Sequence, residues 1–145
     1  MSATASFIKV AASSLSNLAK NFSMKAGQEV AVYPFSGYVI GTVLPYLEEN
    51  GFDLMASGRE SDEEALGEAS GSSVFILTPG IKADVLTKLS HFKPTASSLA
   101  SYYNEFNDAE EEVEAIAPAM EAAIECLKTS LVAIDDDSVV LVVVG

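Results

Sequence analysis

IAPAMEAAIECLKTSLVAIDDDSVVLVVVG, residues 116–145, decides the fold of this chain. Ile116, Met120, Ile124, Leu127, Leu131 and Ile134 recur every three or four positions, which places them on one face of a helix. Pro118 either kinks that helix or begins a second one. Asp135, Asp136 and Asp137 then form a polar turn, and Ser138–Val144 is apolar without alternation. A strand of that kind has both faces covered, which predicts an interior place in a sheet with the preceding helix over one face.

Working outward, the same alternation of short apolar runs and helical stripes continues to the start of the chain. Asp108 is expected to open the long helix, with Glu110, Glu111 and Glu112 in its first turn, where the helix dipole favours negative charge. A helix is predicted over 95–106. Thr78-Pro79 supplies a hydroxyl cap and a first-position proline for a helix carrying Ile81, Val85, Leu86 and Leu89, ended by Lys93-Pro94. Val74-Phe75-Ile76-Leu77 reads as a strand, 61–69 as a short acidic helix and 52–56 as a short strand. Ser36 is placed to cap a helix bearing Val39, Ile40, Val43, Leu44 and Leu47, closed by Asn50-Gly51. Residues 29–33 form a strand ended by Pro34. Ser13 or Ser14 caps a helix with Leu15, Leu18 and Ala19, and 3–10 is a further strand. Strands and helices intermix, which predicts an α/β protein: a single three-layer αβα domain over 1–145, with helices on both sides of a mixed sheet.

Three stretches resemble the YfbM-like family of small bacterial proteins of unknown function. They are Ser6-Phe7-Ile8-Lys9-Val10 followed by Ser14-Leu15-Ser16-Asn17-Leu18, the Leu77-Thr78-Pro79 helix start leading to Val85 and Leu89, and the last helix running into Leu141-Val142-Val143-Val144. The resemblance implies a single αβα domain with a mixed sheet. It implies no reaction, cofactor or catalytic residue.

Charge is the strongest compositional feature. The net charge is −13 over 145 residues. Residues 1–47 carry Lys9, Lys20 and Lys25 against Glu29, whereas 94–145 carry eleven acids against Lys128 alone. Such a field repels phosphate backbones and anionic lipids and attracts basic proteins. Nucleic acid and membrane surfaces are therefore not expected as partners, and a basic protein is. At 49% hydrophobic residues the chain has enough apolar material for a core. Residues 30–47 lack charge, but Pro34, Gly37, Gly41 and Pro45 divide them into a strand and a helix rather than a membrane span. No secretory signal is legible in the first 25 residues, and the lone Cys126 fits a reducing compartment, so a cytoplasmic location is expected.

No catalytic or metal-binding set is legible, and no cofactor is expected. His91, the only histidine, is expected at a helix C-terminus, where a cation is favoured. Cys126 falls among apolar residues and reads as a packed thiol. The aspartates at 135–137 lack the spacing and distal glutamate of a calcium loop. Two candidate sites stand out. The strand-to-helix junction with Tyr33, Ser36 and Tyr38 could offer helix N-terminal amides to a small ligand. Tyr102, Tyr103, Glu105, Asp108 and Glu111, with Phe106 beside them, interleave aromatics with acids, as a surface gripping a basic partner does. The leading expectation is a non-enzymatic protein-binding module, in one concrete form an immunity-type domain masking a basic toxin. The alternatives are a small-molecule site or weak enzyme at the 33–38 junction, and self-assembly through an exposed apolar face. The sequence sets no oligomeric state.

Overall fold

The computed structural model describes residues 3–145, an α/β arrangement of four strands and six α-helices among them. In chain order these are β1 (Ala5–Ala11), α1 (Leu15–Lys20), β2 (Gln28–Val32), α2 (Ile40–Glu49), α3 (Glu60–Ser70), β3 (Ser73–Leu77), α4 (Pro79–Leu89), α5 (Ala96–Asn107), α6 (Val113–Ala133) and β4 (Ser138–Val144). Short 3-10 turns precede α1, β2 and α2.

The strands lie in the order β2-β1-β4-β3. β4 is interior, as its unbroken apolar run predicts. Its side chains divide between the two faces of the sheet. Val140 and Val142 join a cluster with Phe7 and the apolar stripes of α2, α4, α5 and α6. Val139, Leu141 and Val143 join Ile8, Val10, Val74 and Ile76 against Leu15 and Leu18 of α1 and Leu66 of α3. Each of these fully buried aliphatic side chains contributes roughly 1.5–3 kcal/mol. The six stripe residues from Ile116 to Ile134 are all buried in the first cluster, and α6 runs through Pro118 as one helix.

The sheet is not mixed. β1 pairs antiparallel with β2 and with β4, and β3 pairs antiparallel with β4. A two-sided apolar pattern reports that both faces of a strand are covered. It does not report the direction of the neighbouring strand, which the long-range connections decide.

Other expectations need correction. Residues 52–56 form no strand: the Asp53 carboxylate accepts from the amides of Met55 and Ala56 and turns the chain, while Phe52 and Leu54 enter the core as single anchors. Asp108 does not open α6. It ends α5 in the left-handed conformation, at φ 49°, and α6 starts only at Val113, so Glu110, Glu111 and Glu112 precede the helix. Ser14 stands before α1, but its hydroxyl donates to the Ala11 carbonyl rather than accepting a helix amide. Thr78 caps α4 as expected, accepting from the Ile81 amide at 3.2 Å.

The turn from α6 to β4 is held from three sides. Asp135 pairs with Lys9 at 3.2 Å and accepts the Asp137 amide, and the Asp135 amide donates to the Ser138 hydroxyl. Lys82 of α4 donates to the carbonyls of Val132 and Ile134, the C-terminal end of α6, where the helix dipole favours a cation. No helix among the described residues is long and apolar enough to cross a membrane.

Candidate functional site

The most developed surface feature lies between α2 and α5. Three side-chain hydrogen bonds tie the two helices together, the first from the Asn107 side chain, which donates to the Thr42 hydroxyl at 3.0 Å. The hydroxyls of Tyr46 and Ser98 are 3.0 Å apart. At the C-terminal end of α2, the Tyr102 hydroxyl donates to Glu49 Oε2 at 2.5 Å.

A file of aromatic rings leads from the interior to this surface. Phe52 packs on Phe92 with centroids 5.0 Å apart, and Phe92 on Tyr46 at 6.2 Å. Tyr46 meets Tyr102 edge-on at 5.0 Å. Tyr102 and Phe106 then stack at 5.7 Å with only 18° between their planes. Phe52 and Tyr46 are buried, and Phe106 is 52% exposed. The inner rings therefore hold Tyr102 in place, and the outer pair presents flat aromatic surface to solvent. Tyr102, Glu105 and Phe106 stand at positions i, i+3 and i+4 of α5, which puts them on one face.

Together with Glu49 these three residues line a hollow of about 320 Å³. No cation lines it. Among the described residues the ion pairs are Lys9–Asp135, Arg59–Asp62 and Lys128–Glu125, so Glu48, Glu49 and Glu105 have no ion-pair partner there. The local field registers on Tyr102. Burial, the hydrogen bond to Glu49 and the negative charges of Glu49, Glu48 and Glu105 push its phenol up to about 12. Three carboxylates thus act on one aromatic hydroxyl at the rim of the hollow.

The structure assembles only part of the acidic aromatic site that the sequence suggests. Tyr102 and Glu105 line the hollow. Tyr103 does not line it and, like the inner side of Tyr102, packs against the first core cluster. Asp108 serves as the left-handed end of α5. Glu111 lies in the following loop, where the Asn104 side chain binds both its amide (2.8 Å) and its carbonyl (3.0 Å). Phe106, which the sequence groups with Tyr102 and Tyr103, lines the hollow at i+4 from Tyr102. Sequence reasoning leaves Glu48 and Glu49 out of the site. The two glutamates lie on a different helix, more than 50 residues away, and only the α2–α5 packing brings them in.

The three residues of the 33–38 junction have separate surroundings. Tyr33 is 7% exposed and donates to the Ala119 carbonyl at 2.8 Å, so it locks β2 onto α6. Tyr38 is exposed. The helix-start amides are already engaged: Gly37 donates to the Ala3 carbonyl and Tyr38 to the Ser36 hydroxyl. Gly37 packs so closely on Thr4 that a Cβ there would meet its carbonyl at 2.7 Å. Ser36 is a cap, as its position predicts.

His91 follows α4, with Nδ1 2.8 Å from the Thr87 carbonyl. Cys126 is buried with its thiol on the Val32 carbonyl, and burial and the charge of Glu125 raise its pKa, which disfavours the nucleophilic thiolate. Among the described residues no group of three or more His, Cys, Asp or Glu side chains is placed to hold a metal ion. A further hollow beside Pro79, Ile134 and Asp136 contains Lys82, but that ammonium is already bound to the α6 carbonyls. No family model, curated protein or solved structure matches the chain.

Proposed function

We propose that this protein is a non-enzymatic, cytoplasmic binding domain for a basic protein, and that the α2–α5 cleft is its docking surface. One observation carries the proposal: Glu49 and Glu105, with Glu48 nearby, are free of ion pairs among the described residues and flank a Tyr102–Phe106 stack whose outer ring is exposed. Exposed aromatics are costly to leave in water and are enriched at interface centres. Unpaired carboxylates around them select a positively charged partner and speed its approach. The overall charge of −13 acts in the same direction at longer range. An immunity-type role, in which the domain masks the basic surface of a toxin, is the concrete form that fits these properties. The resemblance to the YfbM-like family brings no reaction that competes with this proposal.

The test compares the protein with a variant carrying Glu48→Gln, Glu49→Gln and Glu105→Gln. Both are immobilised and exposed at low ionic strength to lysate from the source cells. A basic protein should be retained by the original chain, released by salt and lost with the variant. Retention of nothing, or equal retention by both, would sink the proposal.

A further inference from the structure

The cleft has a more specific chemistry than general acidity. We propose that it receives one arginine side chain of the partner, with the guanidinium lying on the Tyr102–Phe106 stack and its edge donors reaching Glu49 and Glu105. This inference rests on the proposed docking function and names the group that the same site recognises.

The shape of the site argues for a planar cation. Tyr102 and Phe106 are nearly parallel, 18° apart, and Phe106 keeps half its surface open. The open ring of Phe106, backed by Tyr102, is a flat π-surface rather than an enclosing cage. A guanidinium is flat, stacks on such a surface and is more weakly hydrated than an ammonium, so it loses less on leaving water. Its N–H groups point outward in the plane, where carboxylates at the rim can accept them. Glu49 Oε2 already takes the Tyr102 hydroxyl, which fixes that carboxylate and leaves its other oxygen available. Glu105 lies on the same face of α5 as the stack and forms no ion pair among the described residues.

The size of the site points the same way. A volume of about 320 Å³ lies at the low end of the roughly 300–1,000 Å³ that small-molecule sites occupy. It suits one inserted side chain better than a cofactor. The inner rings make the platform rigid: Tyr102 is wedged edge-on against buried Tyr46, which is backed by Phe92 and Phe52. A pre-positioned platform spares an arriving side chain the entropy of ordering its receptor.

The experiment uses three short synthetic peptides of one spacing, carrying arginine, lysine or glutamate at the same positions. Binding is measured by calorimetry at low ionic strength, with the ring resonances of Tyr102 and Phe106 followed by NMR. The arginine peptide should bind most tightly and shift both rings. Phe106→Leu, which keeps apolar volume but removes the π-face, should weaken the arginine peptide by roughly fivefold to tenfold. Glu49→Gln with Glu105→Gln should weaken it further. Glu64→Gln with Glu68→Gln, on the exposed side of α3 across the sheet, makes the same charge change and should have little effect. Equal binding of arginine and lysine peptides, together with no loss in Phe106→Leu, would overturn the arginine assignment. If the Glu49/Glu105 variant still lost binding, the docking proposal would survive that result. No binding of either cationic peptide, or an equal loss from the α3 variant, would overturn both.

Discussion

At the scale of single residues, one carboxylate is held against its preference. Glu63 of α3 accepts the amide of Ile76 at 2.9 Å, an amide on the outer side of edge strand β3. The contact closes a strand edge that would otherwise be free to pair with another chain. Burial raises the Glu63 pKa, hydrogen bonds from Ile76 and Ser57 partly offset this, and the charge of Glu60 adds to the rise. A folded-state pKa above the unfolded value means that the protonated form is favoured by folding. That stability is fully present below the unfolded carboxylate pKa and is lost as pH rises through the folded one. Glu63→Gln keeps an acceptor for Ile76 and removes the charge. It should therefore raise the denaturant midpoint at neutral pH, with the advantage shrinking to nothing as the solution is acidified below the carboxylate range. A constant advantage at all pH values would show that the charge is not the cause. Glu63 also marks what single residues reveal in the sequence. The acidic first turn of α3 is legible as helix-dipole chemistry, but the capping of a strand 13 positions later is not.

Among the elements, those fixed by local chemistry are the ones the sequence announces. Thr78-Pro79 starts α4, Ser36 caps the turn into α2, and the Ile116–Ile134 stripe makes one helix. Elements that depend on a distant neighbour mislead. Phe52 and Leu54 alternate as a strand would, yet Asp53 turns the chain. The run of glutamates at 110–112 looks like a helix start, but the start is displaced by a side chain on the preceding helix. Asn104 clasps Glu111 through both its amide oxygen and nitrogen, which holds the α5–α6 connection open and extended. Asn104→Ala removes two hydrogen bonds and should cost about 1–2 kcal/mol in global stability. It should also raise hydrogen-exchange rates at residues 108–112 more than elsewhere. Unchanged exchange in that loop would mean that the left-handed Asp108 alone sets its course.

On the scale of the whole molecule, layer order and strand polarity have different origins. The apolar β4 and the helix stripes predict a buried sheet with helices packed on it, and both clusters bear this out. Antiparallel pairing arises from which strands the long connections bring together, and no residue pattern encodes it. The candidate cleft shares that property: its aromatic half is legible along α5, and its α2 half appears only when the helices pack. Charge is the global property that composition does give, and it allows a test of what the acidic surface does. With 21 acids against 8 bases, folding gathers like charges and the compact state repels itself. Salt screens that repulsion, the Debye length falling to about 8 Å at physiological ionic strength. Raising ionic strength from near zero to that level should therefore raise Tm by roughly 2–5 °C. The same change should weaken attraction to a basic partner, because that attraction draws on the same field. Stability and binding should thus move in opposite directions along one salt titration. A Tm that stays flat or falls over that range would show that the acids are spaced well enough to be individually solvated, and would leave only the local cluster at Glu48, Glu49 and Glu105 to account for any salt-sensitive binding.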